Sequence, residues 1–320
     1  MNQPSNKNDF PSPLSEPVVA SFSRYSRFAT AGQFVTVVLI WSLTPLAAVW
    51  TVHEIHWAWG LFIRFSLAIP IALVCQAYFK VKVPLHPKAL LSYAAGALGL
   101  FASMTFCYMG ASKVPSTIIS IIYGIAPFVS GLLATCIFKS EKLSAYQCTG
   151  LMMGMLGLYF ALGLSSQNLS LNYLGIALEV IAMMLYVLSA FAVRGVAANL
   201  HPISQMTGAT IMSWLGYCAL LPFFWSDLPS QLPSLQTGVA LIYSALFSSV
   251  LAMIFYYQLL NTVNPTTLML ITIMTPVLAT LWGTWLNHEA LSPHLILGLF
   301  LISVGLSLYS YSIREAVSIK

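Results

Sequence analysis

PSTIISIIYGIAPFVSGLLATCIFKSEKLSAYQCTGLMMGMLG, residues 115–157, and PTTLMLITIMTPVLATLWGTWLNHEALSPHLILGLFLISVG, residues 265–305, are two versions of one pattern. Pro115, Pro127, Glu141, Gly150 and Gly157 are separated by 12, 14, 9 and 7 residues. Pro265, Pro276, Glu289, Gly298 and Gly305 are separated by 11, 13, 9 and 7. Each version reads as an apolar helix with a proline inside it, a short polar break bearing a glutamate, and a second apolar helix carrying glycines. Ser144 and Ser292 stand at matching positions as N-caps of the second helices, and Pro293 suits the first helical position. A self-match of this kind makes the chain two copies of one membrane unit.

Composition agrees. Of 320 residues, 58% are hydrophobic and 7% charged, against about 25% charged in soluble domains. The mean hydropathy of +0.84 over this length means that the solvent is mostly lipid. The formal charge of +5 is modest, and no basic stripe with interleaved aromatics argues for nucleic acid as a partner. Cys75, Cys107, Cys136, Cys148 and Cys218 all fall in apolar segments without a CxxC spacing. They read as small packing residues.

Residues 1–30 are rich in Ser, Pro and Asn and lack an apolar core of signal-peptide type, so a disordered tail is expected. Ten apolar spans follow, each near the ~20 residues that a bilayer requires. They are Phe34–Val52, Trp57–Phe79, Ala89–Met109, Thr117–Phe138, Ala145–Leu164, Tyr173–Val193, Ser204–Trp225, Gly238–Leu260, Thr266–Leu286 and Pro293–Tyr311. The expected fold is all-α and membrane-integral: a first five-helix repeat over 31–166, a second over 170–312 and a tail over 313–320.

Lysine and arginine set the orientation. With the N-terminus in the cytoplasm, eleven of them (Lys7, Arg24, Arg27, Lys80, Lys82, Lys88, Lys139, Lys142, Arg194, Arg314 and Lys320) lie inside and only Lys113 lies outside. Both termini are therefore expected in the cytoplasm. Five spans per copy is an odd number, so the second copy should be inverted relative to the first. Trp50, Trp57, Trp59, Trp225 and Trp285 then gather at the outer interface, and Tyr309 and Tyr311 at the inner one.

The Pro127–Glu141–Gly150–Gly157 series, its repeat at Pro276–Glu289–Gly298–Gly305, and Arg64 early in span two resemble the drug/metabolite transporter superfamily, specifically its EamA type. The resemblance covers Gln33 to Ser312. It implies a secondary transporter in a plasma membrane (a bacterial inner membrane), exporting a small metabolite such as an amino acid.

Inverted repeats support alternating access around a site at mid-membrane. Trp41 in span one and Tyr186 in span six are repeat equivalents near that depth, and they read either as substrate-binding faces or as packing. Arg64 and Glu179 are the full charges deep in the spans, about 10 Å below their outer edge. Arg64 suits a substrate carboxylate and Glu179 a cationic group or a proton; the alternatives are a structural ion pair or a snorkelling arginine. Tyr108 and Tyr257, repeat mates at opposite ends of spans three and eight, are candidate gates. Pro127 and Pro276 are candidate hinges or static kinks.

Glu141 and Glu289 read as helix-start caps. Gly150 and Gly154 form a GxxxG, for packing within a monomer or for a homodimer. His53-Glu54-Ile55-His56 is one residue short of the HExxH zinc pattern, so no metal is expected. No phosphate-binding loop is present, and no cofactor is expected. The expected partners are a small-molecule substrate, the lipid bilayer and, with coupled transport, protons. An intramembrane enzyme would need an acid–base or nucleophile set beyond Arg64 and Glu179. A receptor or assembly subunit would be expected to carry longer loops.

Overall fold

The computed structural model describes residues 16–136, 144–163, 172–263, 265–273, 275–289, 291 and 293–318. They form an all-α membrane protein of about ten helices. These are α1 (Glu16–Glu54), α2 (Trp57–Tyr78), α3 (Pro87–Ala111), α4 (Ser116–Thr135), α5 (Ala145–Gly163), α6 (Tyr173–Val196), α7 (Pro202–Asp227) and α8 (Leu235–Thr262). Next come α9, in three pieces (Pro265–Leu268, Met269–Ile273 and Thr275–Asn287), and α10 (Pro293–Ser318). Among the described residues, seven stretches are long and apolar enough to cross a membrane: α1 from Ala29, α2, α3, α4, α6, α7 and α8.

Both ends of the chain are more helical than the sequence reading expects. Glu16–Thr30 continues α1, with Pro17 in the first turn, where its missing N–H costs nothing. The last helix runs to Ser318 rather than ending near Tyr311.

Helix starts follow local chemistry. Ser144 and Gln147 form a capping box on α5: the Gln147 N–H donates to Ser144 Oγ, and the Ser144 N–H to Gln147 Oε1. Asn172 Oδ1 caps α6 and Ser234 Oγ caps α8. Glu54 accepts a further pair of bonds from Ser234, from its N–H and its hydroxyl, at 2.8 and 2.6 Å. Glu289 does not cap the helix that follows it. It reaches across to the start of α4 and takes the N–H and hydroxyl of both Ser116 and Thr117. The negative carboxylate thus meets the positive end of the α4 dipole. Glu141 and Ser292 lie outside the described residues.

The two halves interdigitate. α1 packs on α8 and α9, as α6 packs on α3 and α4; α2 packs on α7 and α8. Repeat-mate helices cross antiparallel. In the α2/α7 pair, Ser66 meets Trp214 and Trp59 meets Phe224. In the α4/α9 pair, Thr117 meets Glu289 and Gly124 meets Pro276. In the α5/α10 pair, Gly150 lies on Gly305 and Gly157 on Gly298, so close that a Cβ at Gly157 would stand 2.7 Å from the Gly298 carbonyl oxygen. Gly154 is filled by Phe128 of the same half. The GxxxG therefore serves packing within this chain.

The outward faces are apolar: Leu39, Val74, Met152, Ile242 and Phe300 are exposed, as lipid-facing positions should be. Trp225 and Trp285 are exposed too, but Trp59 is buried. Tyr309 is a core residue against Phe128 rather than an interfacial one, because Gly131 and Gly150 leave room for its ring.

Candidate functional site

A central cavity of about 900 Å³, counting its open side, lies where the halves meet. Its walls come from α1, α2, α3, α4, α6, α8 and α9. The lining obeys the repeat. Trp41 and Tyr186, and Thr44 and Ser189, stand 145 residues apart. Gly99 and Ser248, Met104 and Met253, Tyr108 and Tyr257, and Tyr123 and Thr272 stand 149 apart. Each half thus contributes the same wall positions, identical at Met104/Met253 and Tyr108/Tyr257 and different at the other pairs.

Local backbone irregularities shape the walls. α3 and α8 each contain a π-helical stretch, Leu98–Ser103 and Ser244–Leu251, at matching positions. Such turns insert an extra residue and often mark functional sites. Pro45 on α1 withholds the N–H that would serve the Trp41 carbonyl.

Pro127 and Pro276 do more than kink their helices. Each is the second residue of a new helix, after α4 breaks at Ile125 and after the 3₁₀ turn of α9. A Cβ on Gly124 would come within 2.7 Å of Pro276 Cγ, so the breaks touch.

Trp41 and Tyr186 are brought together, edge to face, at 5.9 Å between ring centroids. Tyr256 joins both, 5.3 Å from Trp41 and 5.9 Å from Tyr186, and Tyr123 sits 5.9 Å from Tyr186. These rings form one touching cluster on the cavity wall.

Arg64 lines the cavity and is only 2% exposed. Its Nε donates to Ser249 Oγ at 2.9 Å, and Nη1 to the Tyr108 hydroxyl at 3.1 Å. Among the described residues, no carboxylate pairs with it and Nη2 has no protein acceptor. Tyr108 is fully buried and fixes the guanidinium from the α3 side.

Glu179 stands apart. It is fully buried on α6 but does not line the cavity. Its carboxyl lies over Gly110 of α3, and no N–H or O–H reaches either oxygen among the described residues. The Cys107 thiol, itself a cavity-lining group, is the polar neighbour. Arg64 and Glu179 therefore share no ion pair.

Tyr257 is 3% exposed and belongs to two spaces at once. It lines the central cavity and also a second cleft bounded by Ser92, Arg194, Asn199, Gln205 and Asn261. Gln205 and Ser92 lock to each other through two bonds of 2.6 and 2.8 Å beside it. Arg194 holds the end of α8 by donating to the Leu260 carbonyl at 2.6 Å.

Sequence reasoning missed Tyr123, Tyr256, Arg194 and the π-helical stretches. The repeat offset of 149 that links Tyr108 to Tyr257 also pairs Cys107 with Tyr256, and it is the signal that could have found it.

The chain matches the model of the EamA-like transporter family over residues 31–163 and again over 173–311. It is 24% identical over 292 residues to "Uncharacterized transporter YoaV" of Bacillus subtilis (strain 168), covering 87% of this chain and 95% of that protein. It is 30% identical over 199 residues to "Uncharacterized inner membrane transporter YedA" of Escherichia coli (strain K12), covering 61% of this chain and 62% of that one. A solved structure superposes with a TM-score of 0.69 over 88% of this chain and 98% of its own, at 17% identity, which speaks for the fold.

Proposed function

The chain belongs to the EamA-like transporter family, and from that premise we propose that it is a secondary transporter that moves a small polar metabolite, an amino acid or similar solute, by alternating access. It is a membrane transporter and not an enzyme, so the intramembrane-enzyme alternative falls away. Export, a plasma-membrane location and cytoplasmic termini complete the proposal. The lysine and arginine bias supports the orientation; the family resemblance implies the direction.

One observation carries the mechanism: the cavity is lined by repeat-mate residues from both halves. Antiparallel crossing of the α2/α7, α4/α9 and α5/α10 pairs supports inverted repeats over 31–166 and 170–312. Two inverted halves can exchange conformations, so that the cavity opens to each side in turn. Trp41, Tyr186 and Arg64 hold the solute. Tyr108 and Tyr257 close opposite ends, and the breaks at Pro127 and Pro276 let the halves rock. Glu179 serves protons rather than the solute, given its place behind Cys107.

Proteoliposomes containing the purified protein test the reading. Preloading with unlabelled solute should drive transient accumulation of the labelled solute. A protein that gives no counterflow across a broad panel of amino acids and organic acids is not this kind of transporter.

A further inference from the structure

We propose that the pathway selects an organic monoanion with a flat apolar body, a carboxylate of phenylacetate type, and that Arg64 sets the charge. This replaces the amino acid of the transport reading with an organic acid, and rests on that reading for its cellular meaning.

Among the described residues, Arg64 is the one charged residue lining the central cavity, and Arg194 the one lining the cleft behind Tyr257. Neither space is lined by an Asp or a Glu among the described residues, and the Glu179 carboxyl faces neither. An anion moving from cleft to cavity meets one cationic side chain in each, and the nearest acid among the described residues, Glu179, stands behind Cys107. Low-dielectric walls strengthen that attraction.

Arg64 is also incomplete without a ligand. A guanidinium this buried costs several kcal/mol when unpaired. Ser249 holds Nε, the Tyr108 hydroxyl and Met104 Sδ hold Nη1, and the Phe65 and Tyr108 rings lie 5.8 Å from the guanidinium carbon; all of these are neutral. A carboxylate on Nη2 would supply the missing charge through a charge-assisted bond.

The other end of a zwitterion finds no comparable partner. The cluster rings of Trp41, Tyr186 and Tyr256 are 5.3 to 5.9 Å apart and already touch, so no ammonium fits between two faces. The hydroxyls of Thr272 and Thr275 donate to carbonyls of their own helix and keep only neutral lone pairs for a cation. A flat apolar body is different: it lies against the ring cluster, Leu100 and Ile119 without needing a polar partner.

Four ring-matched ligands separate the cases on the full-length protein in nanodiscs, with tryptophan fluorescence and thermal stabilisation as readouts. Phenylacetate should bind at least about tenfold tighter than phenylacetamide, phenethylammonium or phenylalanine. Arg64→Gln should weaken phenylacetate by about 30-fold or more and leave phenylacetamide unchanged. Equal or tighter binding of phenethylammonium or phenylalanine overturns the proposal, as does failure of all four to bind. An equal loss for phenylacetamide in Arg64→Gln also overturns it. The wild-type ranking stands whether or not Arg64→Gln folds. Phenylacetate that binds in this order but does not cross proteoliposomes leaves the anion site in place and refutes the transport reading instead.

Discussion

Arg64 and Glu179 carry opposite formal charges, yet the fold gives them separate surroundings. Arg64 faces the cavity held by the neutral groups of Ser249, Tyr108 and Met104; Glu179 lies over Gly110 with the Cys107 thiol as its polar neighbour. An unpaired carboxylate in such a place is costly, and a carboxyl that exchanges its proton as the halves rock avoids that cost. Glu179→Gln keeps the shape and removes the proton. It should abolish accumulation driven by a proton gradient while leaving equilibrium exchange intact; accumulation that persists in the variant would show that coupling lies elsewhere. Tyr257 yields a second test. Tyr257→Ala should join cavity and cleft, so that Cys107, kept as the single cysteine, reacts with a charged thiol reagent about tenfold faster from the Arg194 side. An unchanged rate would mean that Tyr257 is not a gate. At this scale the sequence was legible where the repeat numbered the residues: Trp41 with Tyr186, Tyr108 with Tyr257. Tyr256 and Tyr123 were not, because an aromatic in an apolar helix reads as packing until the face it occupies is known. Arg64 was visible as a buried charge, but only coordinates separate it from Glu179.

Among elements, the broken helices α4 and α9 stand out. The matched prolines announced irregularity, but not that the two breaks would touch. Gly124→Ala puts a methyl against Pro276 and should cost about 1–3 kcal/mol, seen as a lowered Tm in detergent. Gly238→Ala is the control, since nothing lies within 4 Å of its added Cβ. Equal Tm values for the two variants would refute the close crossing. Glu289 shows how far local reading carries. A glutamate before a helix reads as its cap, but the helix it serves, α4, begins 173 residues earlier at Ser116. The π-helical stretches left no trace in sequence, because an i to i+5 bond reflects tertiary packing rather than a residue preference.

For the whole molecule, hydropathy and repeat spacing were enough to give helix number and order. Which helices touch was not readable: α1 on α8 and α6 on α3 follow from interleaving the halves, and no local signal records that. Orientation has its own test. A single cysteine at Lys82 should react only from the cytoplasmic side and one at His288 only from outside. The reverse pattern would overturn the assignment made from lysine and arginine.

The seam between α5 and α10 is reciprocal. Gly150 touches Gly305, the repeat mate of Gly157; Gly157 touches Gly298, the repeat mate of Gly150. Such reciprocity is what a self-complementary surface produces when it meets a copy of itself. The seam therefore has the reciprocal form of an isologous dimer interface within one polypeptide, while the halves differ elsewhere, as at Arg64. A chain cut between the halves keeps every one of these contacts. Residues 1–166 and 170–320, made as separate polypeptides in one cell, should find each other and purify as a pair.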